Sequence, residues 1–169
     1  ITTLDGCMLR DSVQVDVYYD PPVPIMPDSL WMCLNSEIDI LASGGDTYLW
    51  SPNLNISSLV NPLVTVNPAN SIYYYCDFTN ACGTVRDSTW IEVVEASINA
   101  FNDTIICPDN SVPIWVSGGV NYLWWPAGTL STNNTSLTIA TPVEPTMYYV
   151  RGQDIYGCEA FDSVFVDLF

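Results

Sequence analysis

The feature that most constrains the fold of this chain is an internal repeat with a period of about 75 residues. The matched positions are, in the first and then the second copy, a cysteine (Cys33, Cys107), a Ser-Gly-Gly turn (43–45, 117–119), a Tyr-Leu-Trp segment (48–50, 122–124), a second cysteine (Cys82, Cys158) and an Asp-Ser pair (87–88, 162–163). A fixed period of this length is typical of proteins built from repeated structural units. We therefore expect two complete units, at residues 20–95 and 96–169.

The start of the chain carries part of a third copy. Residues 6–13 match residues 157–164, from the glycine before the cysteine through the Asp-Ser pair. We expect residues 1–19 to form the C-terminal strand of a truncated preceding repeat, so that the chain is a piece of a longer protein.

The composition of each unit favours strands. Between its 12 prolines and 9 glycines the sequence is rich in Val, Ile, Thr, Tyr and Trp, the residue types most frequent in strands. Segments 37–40, 63–66 and 112–116 alternate with the period of two that a half-buried strand shows. Several short strands at spacings of about ten residues indicate a β-sandwich. A proline-rich first junction (20–27) and a second one without proline or glycine (95–101) favour a rod over a compact globule.

The charge of the chain excludes several kinds of partner. It has three basic residues, all arginines, against 19 acidic ones, and its formal net charge is -16. Such a surface repels nucleic acid and anionic membranes. No run of 18 apolar residues is present, so we expect no insertion into a membrane.

Four of the six cysteines occupy matched repeat positions, and this spacing predicts disulfides. Zinc is the competing interpretation, but the sequence offers neither a CxxC pair nor a histidine. Pairing within each repeat, Cys33 with Cys82 and Cys107 with Cys158, closes loops of about 50 residues and is the preferred hypothesis. The alternative joins neighbouring units, Cys7 to Cys33 and Cys82 to Cys107. Cys76 stays unassigned under both hypotheses, and Cys7 has no partner under the preferred one.

The repeated pattern Cys…Ser-Gly-Gly…Tyr-x-Trp-x-Pro…Pro…Tyr-Tyr…Gly-Cys…Asp-Ser-Val resembles the tandem Ig-like (PKD-like) repeats of very large Bacteroidota cell-surface proteins. The gliding-motility adhesins exported by the type 9 secretion system are the best-known carriers. The resemblance covers almost the whole chain, which departs from it at Ala81-Cys82-Gly83 and at the additional Cys76. It implies an all-β fold of tandem Ig-like sandwiches in an extracellular stalk at the cell surface. The implied partners are other repeats of the same chain, the secretion and surface-anchoring machinery, and surface polysaccharide.

The same resemblance implies O-glycosylation at Asp-Ser or Asp-Thr pairs followed by an apolar or small residue. The candidate acceptors are Ser12, Ser29, Ser88, Thr104 and Ser163. The alternative is that Asp-Ser is a common dipeptide at the start of a strand.

The tryptophans divide into matched and unmatched positions. Trp50 and Trp124 occupy the same place in both copies, where an Ig-like sandwich has its core tryptophan; the alternative is a platform on which carbohydrate stacks. The other four have no counterpart in the other unit, and an exposed one beside a tyrosine would indicate a sugar-binding face. These are Trp31, Trp90, Trp115 and Trp125.

Neither a metal site nor a catalytic site is expected. Carboxylates are calcium ligands, and Glu37 with Asp39, or Asp16, Asp20 and Asp28 around the first junction, are the candidates. They lack the fixed spacing of a calcium loop, which favours a solvated acidic surface. The sequence also lacks the histidine of a catalytic triad, a lysine for a Schiff base, a Gly-x-Ser-x-Gly elbow and a phosphate loop.

We therefore expect a non-catalytic stalk segment of a secreted cell-surface adhesin with a role in attachment or gliding motility. The alternative is an accessory or carbohydrate-binding module of a secreted polysaccharide-degrading enzyme. An exposed row of Trp and Tyr on one sheet would favour this alternative, whereas buried aromatic residues would favour the stalk.

Overall fold

The computed structural model describes residues 8, 10–16 and 20–169 of the chain, and every regular element in that part is a β-strand. We refer to residues 20–95 as unit 1 and to residues 96–169 as unit 2. Of the expected strand at residues 1–19 only residues 8 and 10–16 are described, and Cys7 lies outside the described residues.

The two units have strands in matching order. Unit 1 contains β1 (Ser29–Cys33), β2 (Ile38–Leu41), β3 (Thr47–Ser51), β4 (Leu63–Val66), β5 (Ile72–Asn80) and β6 (Gly83–Val94). Unit 2 contains β7 (Asn99–Ala100), β8 (Thr104–Ile106), β9 (Val112–Ser117), β10 (Asn121–Trp125), β11 (Leu137–Ala140), β12 (Thr146–Gln153) and β13 (Glu159–Leu168). The short β7 corresponds to the isolated bridge that Ile25 forms with Ser43 in unit 1.

Each unit is a sandwich of two sheets. In unit 1 the larger sheet has the order β1-β6-β5-β3 and faces the β2-β4 pair; in unit 2 the order β10-β12-β13-β8 faces β11-β9-β7. The first strand of each larger sheet, β1 or β8, runs parallel to the last one, β6 or β13, and the other pairings are antiparallel. Two packed sheets of this kind form an immunoglobulin-like sandwich. The predicted all-β class of tandem Ig-like sandwiches is confirmed.

Each sandwich has its own hydrophobic core, built from alternate residues of its strands. In β5, Tyr74, Cys76 and Phe78 point inward and are fully buried, while Tyr73 and Tyr75 point outward. This follows from the period of two in a strand. The core of unit 1 contains residues of both its sheets, and so does the core of unit 2.

The matched tryptophans lie at the centre of these cores. Trp50 is 2% exposed and Trp124 is fully buried. Each indole N–H donates a hydrogen bond to a main-chain carbonyl, that of Asn61 at 2.8 Å and that of Thr135 at 2.9 Å. The buried polar atom is therefore satisfied in both copies.

The first glycine of each Ser-Gly-Gly turn lies against the segment by which the chain enters the unit. Gly44 and Gly118 have φ angles of 103° and 97°, which L side chains rarely adopt. A Cβ atom at Gly118 would lie 2.4 Å from the carbonyl oxygen of Ser97, and one at Gly44 would lie 2.0 Å from that of Val23. Glycine is therefore required at both positions for its backbone conformation and for its lack of a side chain.

We expect Gly118→Ala to destabilise unit 2 by about 1–3 kcal/mol, because the alanine has a positive φ and its Cβ meets a backbone oxygen. Urea denaturation followed by tryptophan fluorescence measures the change. Gly128→Ala is the matched control, since a Cβ there meets nothing within 4 Å. Equal stability of the two variants would contradict the close approach.

Candidate functional site

The most distinctive site in the molecule is a disulfide that joins the two units. Cys33 at the end of β1 is bonded to Cys158, the residue before β13, with 2.04 Å between the sulfur atoms and 5.5 Å between the Cα atoms. The sequence separation is 125 residues. The bond therefore connects the C-terminal end of the first sandwich to a hairpin turn of the second.

The preferred pairing within each repeat is wrong about both Cys33 and Cys158. The alternative is wrong about the partner of Cys33, but its expectation that a disulfide joins neighbouring units is confirmed. Cys33 lies opposite Val94 at the end of β6, whereas Cys82 comes just before the same strand begins. A strand of 12 residues is about 35–40 Å long, and a disulfide requires Cα atoms within about 7 Å. The length of β6 therefore excludes a bond between Cys33 and Cys82. In unit 2, the length of β13 excludes a bond between Cys107 and Cys158 in the same way.

Because the first and last strands of each larger sheet run parallel, the chain enters a unit at one end and leaves it at the other. We call these ends the entry pole and the exit pole. At the entry pole, Ser97 and Ile98 of the incoming chain lie against Gly118 and Gly152, next to the turn at residues 154–158. At the exit pole, the end of the first parallel strand lies beside the end of the last strand. The exit pole of unit 1 consequently meets the entry pole of unit 2, and this brings Cys33 to Cys158.

Side chains around the disulfide brace this junction. The ring of Trp31 contacts that of Tyr156 with 5.3 Å between centroids. The Asp154 carboxylate accepts hydrogen bonds from the main-chain N–H groups of Tyr156 and Cys158, each 2.9 Å long, and so fixes the turn. A cavity of about 200 Å³ lies beside the bond between the two units.

The remaining described cysteines differ in their surroundings. Cys76 is fully buried opposite Trp50, and its counterpart at the same place in β12 is Val150. Burial raises the pKa of the Cys76 thiol to about 11, and the charges of Asp77 and Asp87 add to the effect. Cys107 is exposed and has no disulfide partner among the described residues. Cys82 lies in the exposed hairpin turn of unit 1, where its N–H donates to Asn80.

A second candidate site is a row of aromatic side chains on the outer face of the larger sheet in unit 1, formed by the exposed Tyr73 and Tyr75 and the half-buried Trp90. Tyr73 and Tyr75 are 49% and 39% exposed and stack with 6.2 Å between ring centroids. Trp90 contacts Tyr73 at 4.7 Å. An open groove of about 560 Å³ borders the row and is lined by Ser51, Pro52, Ile72, Tyr73, Tyr75 and Arg86.

Unit 2 carries aromatic residues on the same face. Trp125 stacks on Tyr149 with 5.9 Å between centroids, and Phe161 contacts the edge of Trp125 at 6.5 Å. Tyr149 and Phe161 occupy the positions of Tyr75 and Arg86 in the repeat. Among the unmatched tryptophans, Trp90 and Trp125 thus join aromatic clusters on this face, whereas Trp115 lies on β9 of the other sheet, next to Phe101.

A charged pair lies next to the aromatic row of unit 1. Arg86 donates two hydrogen bonds to the Asp77 carboxylate, of 2.6 and 2.7 Å, and its guanidinium carbon lies 6.0 Å from the Tyr75 ring centroid. These hydrogen bonds lower the pKa of Asp77 and raise that of Arg86. The pair contributes its stability above the pKa of an unfolded aspartate and loses it as the pH falls through the lowered pKa, so it stays intact at neutral pH.

Aspartates of three of the Asp-Ser and Asp-Thr pairs accept hydrogen bonds from main-chain N–H groups. Asp162 accepts hydrogen bonds from the N–H groups of Ala100 and Ser163, each 2.8 Å long. Asp87 accepts one from Ser88, and Asp103 accepts one from Phe165.

The candidate acceptors for O-glycosylation differ in exposure. Ser88, Thr104 and Ser163 are half-buried within strands, while Ser12 and Ser29 are exposed. O-glycosylation therefore stays a prediction. Among its candidate acceptors, Ser12 and Ser29 are the exposed ones.

The described residues contain no group of three or more His, Cys, Asp and Glu side chains that could hold a metal ion. Of the carboxylates considered as calcium ligands, Asp39 accepts a hydrogen bond from the Thr65 hydroxyl, and Asp16 accepts one from the Gln14 side-chain amide. Glu37, Asp20 and Asp28 are exposed. Within the same part of the chain, no helix has the length and apolar character that crossing a bilayer requires.

Comparison with known proteins gives only distant structural similarity. No protein-family model and no curated protein matches the sequence. Among solved structures, the I-band fragment I67–I69 of titin has a TM-score of 0.47 at 14% identity, over 89% of this chain and 66% of the fragment. Immunoglobulin domains 1 and 2 of DIP-gamma have a TM-score of 0.44 at 9% identity, over 87% and 98%. Domains 3–5 of Drosophila OTK have a TM-score of 0.43 at 13% identity, over 87% and 62%.

The chain thus spans about two thirds of the titin fragment and somewhat less of the OTK one. Since these TM-scores are below 0.5, the fold assignment rests on the strand order and packing described above.

We expect Cys76 to resist iodoacetamide at pH 8 in the native protein, because its thiol is buried and its raised pKa of about 11 leaves roughly one molecule in a thousand as the reactive thiolate. The exposed Cys107 should be labelled under the same conditions, and Cys76 only after denaturation in urea. Mass spectrometry of proteolytic peptides measures both. Labelling of native Cys76 at the rate of Cys107 would contradict the burial.

Proposed function

We propose that this chain is a non-catalytic structural segment of a secreted cell-surface adhesin and works as part of a stalk that bears tension. The observation that carries the proposal is the disulfide between Cys33 and Cys158, which links two sandwiches that are successive in the chain. Disulfides persist in oxidising compartments, and this supports an extracellular location. The likeness of the repeated motif to the gliding-motility adhesins supports export by the type 9 secretion system in a Bacteroidota cell.

The disulfide determines how tension passes through the molecule. A force applied between the chain before Ser29 and the chain after Leu168 runs along β1, across the Cys33–Cys158 bond, and along β13. Residues 34–157 lie outside this covalent path. Fully extended at about 3.5 Å per residue, they would add roughly 430 Å to the length. The bond therefore prevents most of the chain from being drawn out.

The surroundings of the disulfide suit a lasting connection. The parallel hydrogen bonds between β1 and β6 hold Cys33 in place, and the hydrogen bonds of Asp154 fix the turn that carries Cys158. In the loop-entropy model a bond that closes about 125 residues also lowers the entropy of the unfolded chain, by an amount worth about 5 kcal/mol. The same bond thus limits extension and stabilises both sandwiches.

Single-molecule force spectroscopy tests the stalk function. With the oxidised chain held at both ends, we expect extension to stop before residues 34–157 are released. In Cys158→Ser we expect two unfolding steps that together release this length, because tension then passes through both sandwiches. Cys76→Val is the control, since it changes a core residue without touching the bond. Release of the full length by the oxidised chain would contradict the proposal.

A second candidate function is binding of a neutral polysaccharide at the aromatic row formed by Tyr73, Tyr75 and Trp90. Tyrosine and tryptophan offer an apolar face and a polar tip, which suits the apolar and hydroxyl-bearing sides of a sugar ring. Arg86 and Asp77 offer hydrogen-bonding groups next to Tyr75. The net charge of -16 disfavours acidic polysaccharides, so the ligand class is a neutral glycan, either on a cell surface or as the substrate of a neighbouring enzyme.

Affinity electrophoresis in gels that contain a soluble neutral β-glucan, or a soluble mannan, tests this second function. We expect at least one polymer to slow the chain, and Tyr75→Ala to weaken the effect by about tenfold, because it removes a stacking face at the groove. Trp115→Ala is the matched control, an exposed tryptophan on the other sheet. Migration that is unchanged by either polymer, or equal losses in both variants, would count against a glycan site on this face.

A further inference from the structure

Cys107 occupies the same structural position in unit 2 that the bonded Cys33 occupies in unit 1. In unit 1 the parallel register between β1 and β6 aligns Met32 with Val93 and Cys33 with Val94. In unit 2 the register aligns Ile106 with Leu168, which places Cys107 beside Phe169. Cys33 is the last residue of β1 and Cys107 directly follows β8, so both cysteines lie at the end of the first parallel strand, at the exit pole of their unit.

The chain makes the same turn after both cysteines. The N–H of Ser36 donates to the carbonyl of Cys33 at 3.0 Å, and the N–H of Asn110 donates to that of Cys107 at 3.2 Å. The intervening Asn35 and Asp109 have φ angles of 63° and 64°. The backbone around Cys107 thus already has the conformation in which Cys33 holds its disulfide.

The surface around Cys107 also matches the surface that unit 2 contacts on unit 1. Trp31, two residues before Cys33, contacts Tyr156 in the hairpin turn of unit 2. Its counterpart two residues before Cys107 is Ile105, which is 52% exposed, and the neighbouring Phe169 is 90% exposed. Unit 2 therefore presents an apolar contact surface and a thiol at the pole where unit 1 is joined to its successor.

We propose that Cys107 is the attachment site for the hairpin-turn cysteine of a further unit of this repeat, joined after Phe169. Each unit would then be bonded through its exit cysteine to the turn cysteine of the next unit. This inference extends the proposed stalk function by naming the partner of the second exit pole. The experiment below measures only disulfide connectivity, so the inference about Cys107 can fail while the mechanical role proposed for Cys33–Cys158 stands.

The bond forms by thiol–disulfide exchange with an external disulfide, such as oxidised glutathione or a protein disulfide carrier. The Cys107 thiolate attacks the carrier disulfide and forms a mixed disulfide, which releases one carrier thiol. The turn-cysteine thiolate then attacks the Cys107 sulfur and releases the second carrier thiol. Two protein thiols are oxidised, one carrier disulfide is reduced to two thiols, and the two protons pass to the released carrier thiolates.

A chain of three units tests the proposal. A copy of residues 95–169 is joined after Phe169, so that Phe169 precedes Glu95 of the copy as Val94 does in the original chain. The copy carries Cys107→Ser, so that the original Cys107 is the one cysteine at an exit pole whose partner is still to be found. It also carries Ile155→Val at an exposed position, which gives the hairpin-turn peptide of the copy a different mass from that of the original. The protein is oxidised with glutathione, labelled with iodoacetamide in the native state, and mapped without reduction.

We expect a monomer in which Cys107 is linked to the turn cysteine of the copy, while Cys33 remains linked to Cys158. Labelling of Cys107 should fall at least tenfold from its level in the 169-residue chain. A second variant, in which the original Cys107 is also replaced by serine, should leave Cys33–Cys158 intact and make the turn cysteine of the copy reactive. This variant shows whether the added unit folds and presents its turn.

Three outcomes would overturn the proposal. Cys107 could stay fully labelled in the three-unit chain, or form a bond with a cysteine other than the turn cysteine of the copy. Alternatively, Cys107 could be linked between two molecules, which non-reducing electrophoresis detects as a covalent dimer. In that case the partner of the exit pole would be a second copy of the chain rather than the next unit along it.

Discussion

The parallel pairing of the first and last strands of the larger sheet is the constraint on which the rest of the structure depends. Because β1 runs alongside β6, and β8 alongside β13, a cysteine at the end of the first strand lies where the chain leaves its unit. The hairpin between the last two strands lies at the opposite end, where the chain enters. Two units in succession therefore bring the cysteine at the exit pole of one to the cysteine in the hairpin turn of the next.

Much of the fold could be predicted from the sequence because its determinants are local. The period-two alternation at residues 63–66 and 112–116 corresponds to β4 and β9. The Ser-Gly-Gly turns are required where Gly44 and Gly118 lie against backbone oxygens. Trp50 and Trp124 are buried because the repeat places each on the inward face of a strand of the larger sheet, β3 or β10. Each of these features depends on residues close in sequence or on one repeated position.

The disulfide pairing could not be predicted from sequence spacing alone, because it depends on which end of a strand each cysteine occupies. Spacing shows that Cys33 and Cys82 belong to one unit, yet β6 separates them by its full length. The signal that would have shown this is the parallel register of β1 with β6, which is a property of the tertiary fold. The sequence indicates Trp90 as a candidate for a sugar-binding face, but it cannot show which tyrosines lie beside it. Tyr73, Tyr75 and Trp90 meet on one face only through the pairing of β5 with β6.

The placement of the few basic residues has a consequence for resistance to proteolysis. Enzymes of the trypsin type cleave after arginine or lysine, and this chain offers them three arginines and no lysine. Arg86 lies in β6 and is bound to Asp77; Arg151 lies in β12 and pairs with Glu159 at 3.1 Å. A protease needs an extended, detached segment of substrate, and neither strand offers one while the sandwiches stay folded. The folded sandwiches therefore resist cleavage by proteases of the trypsin type. In the described part of the chain, the accessible cleavage site for these enzymes is Arg10, outside both sandwiches.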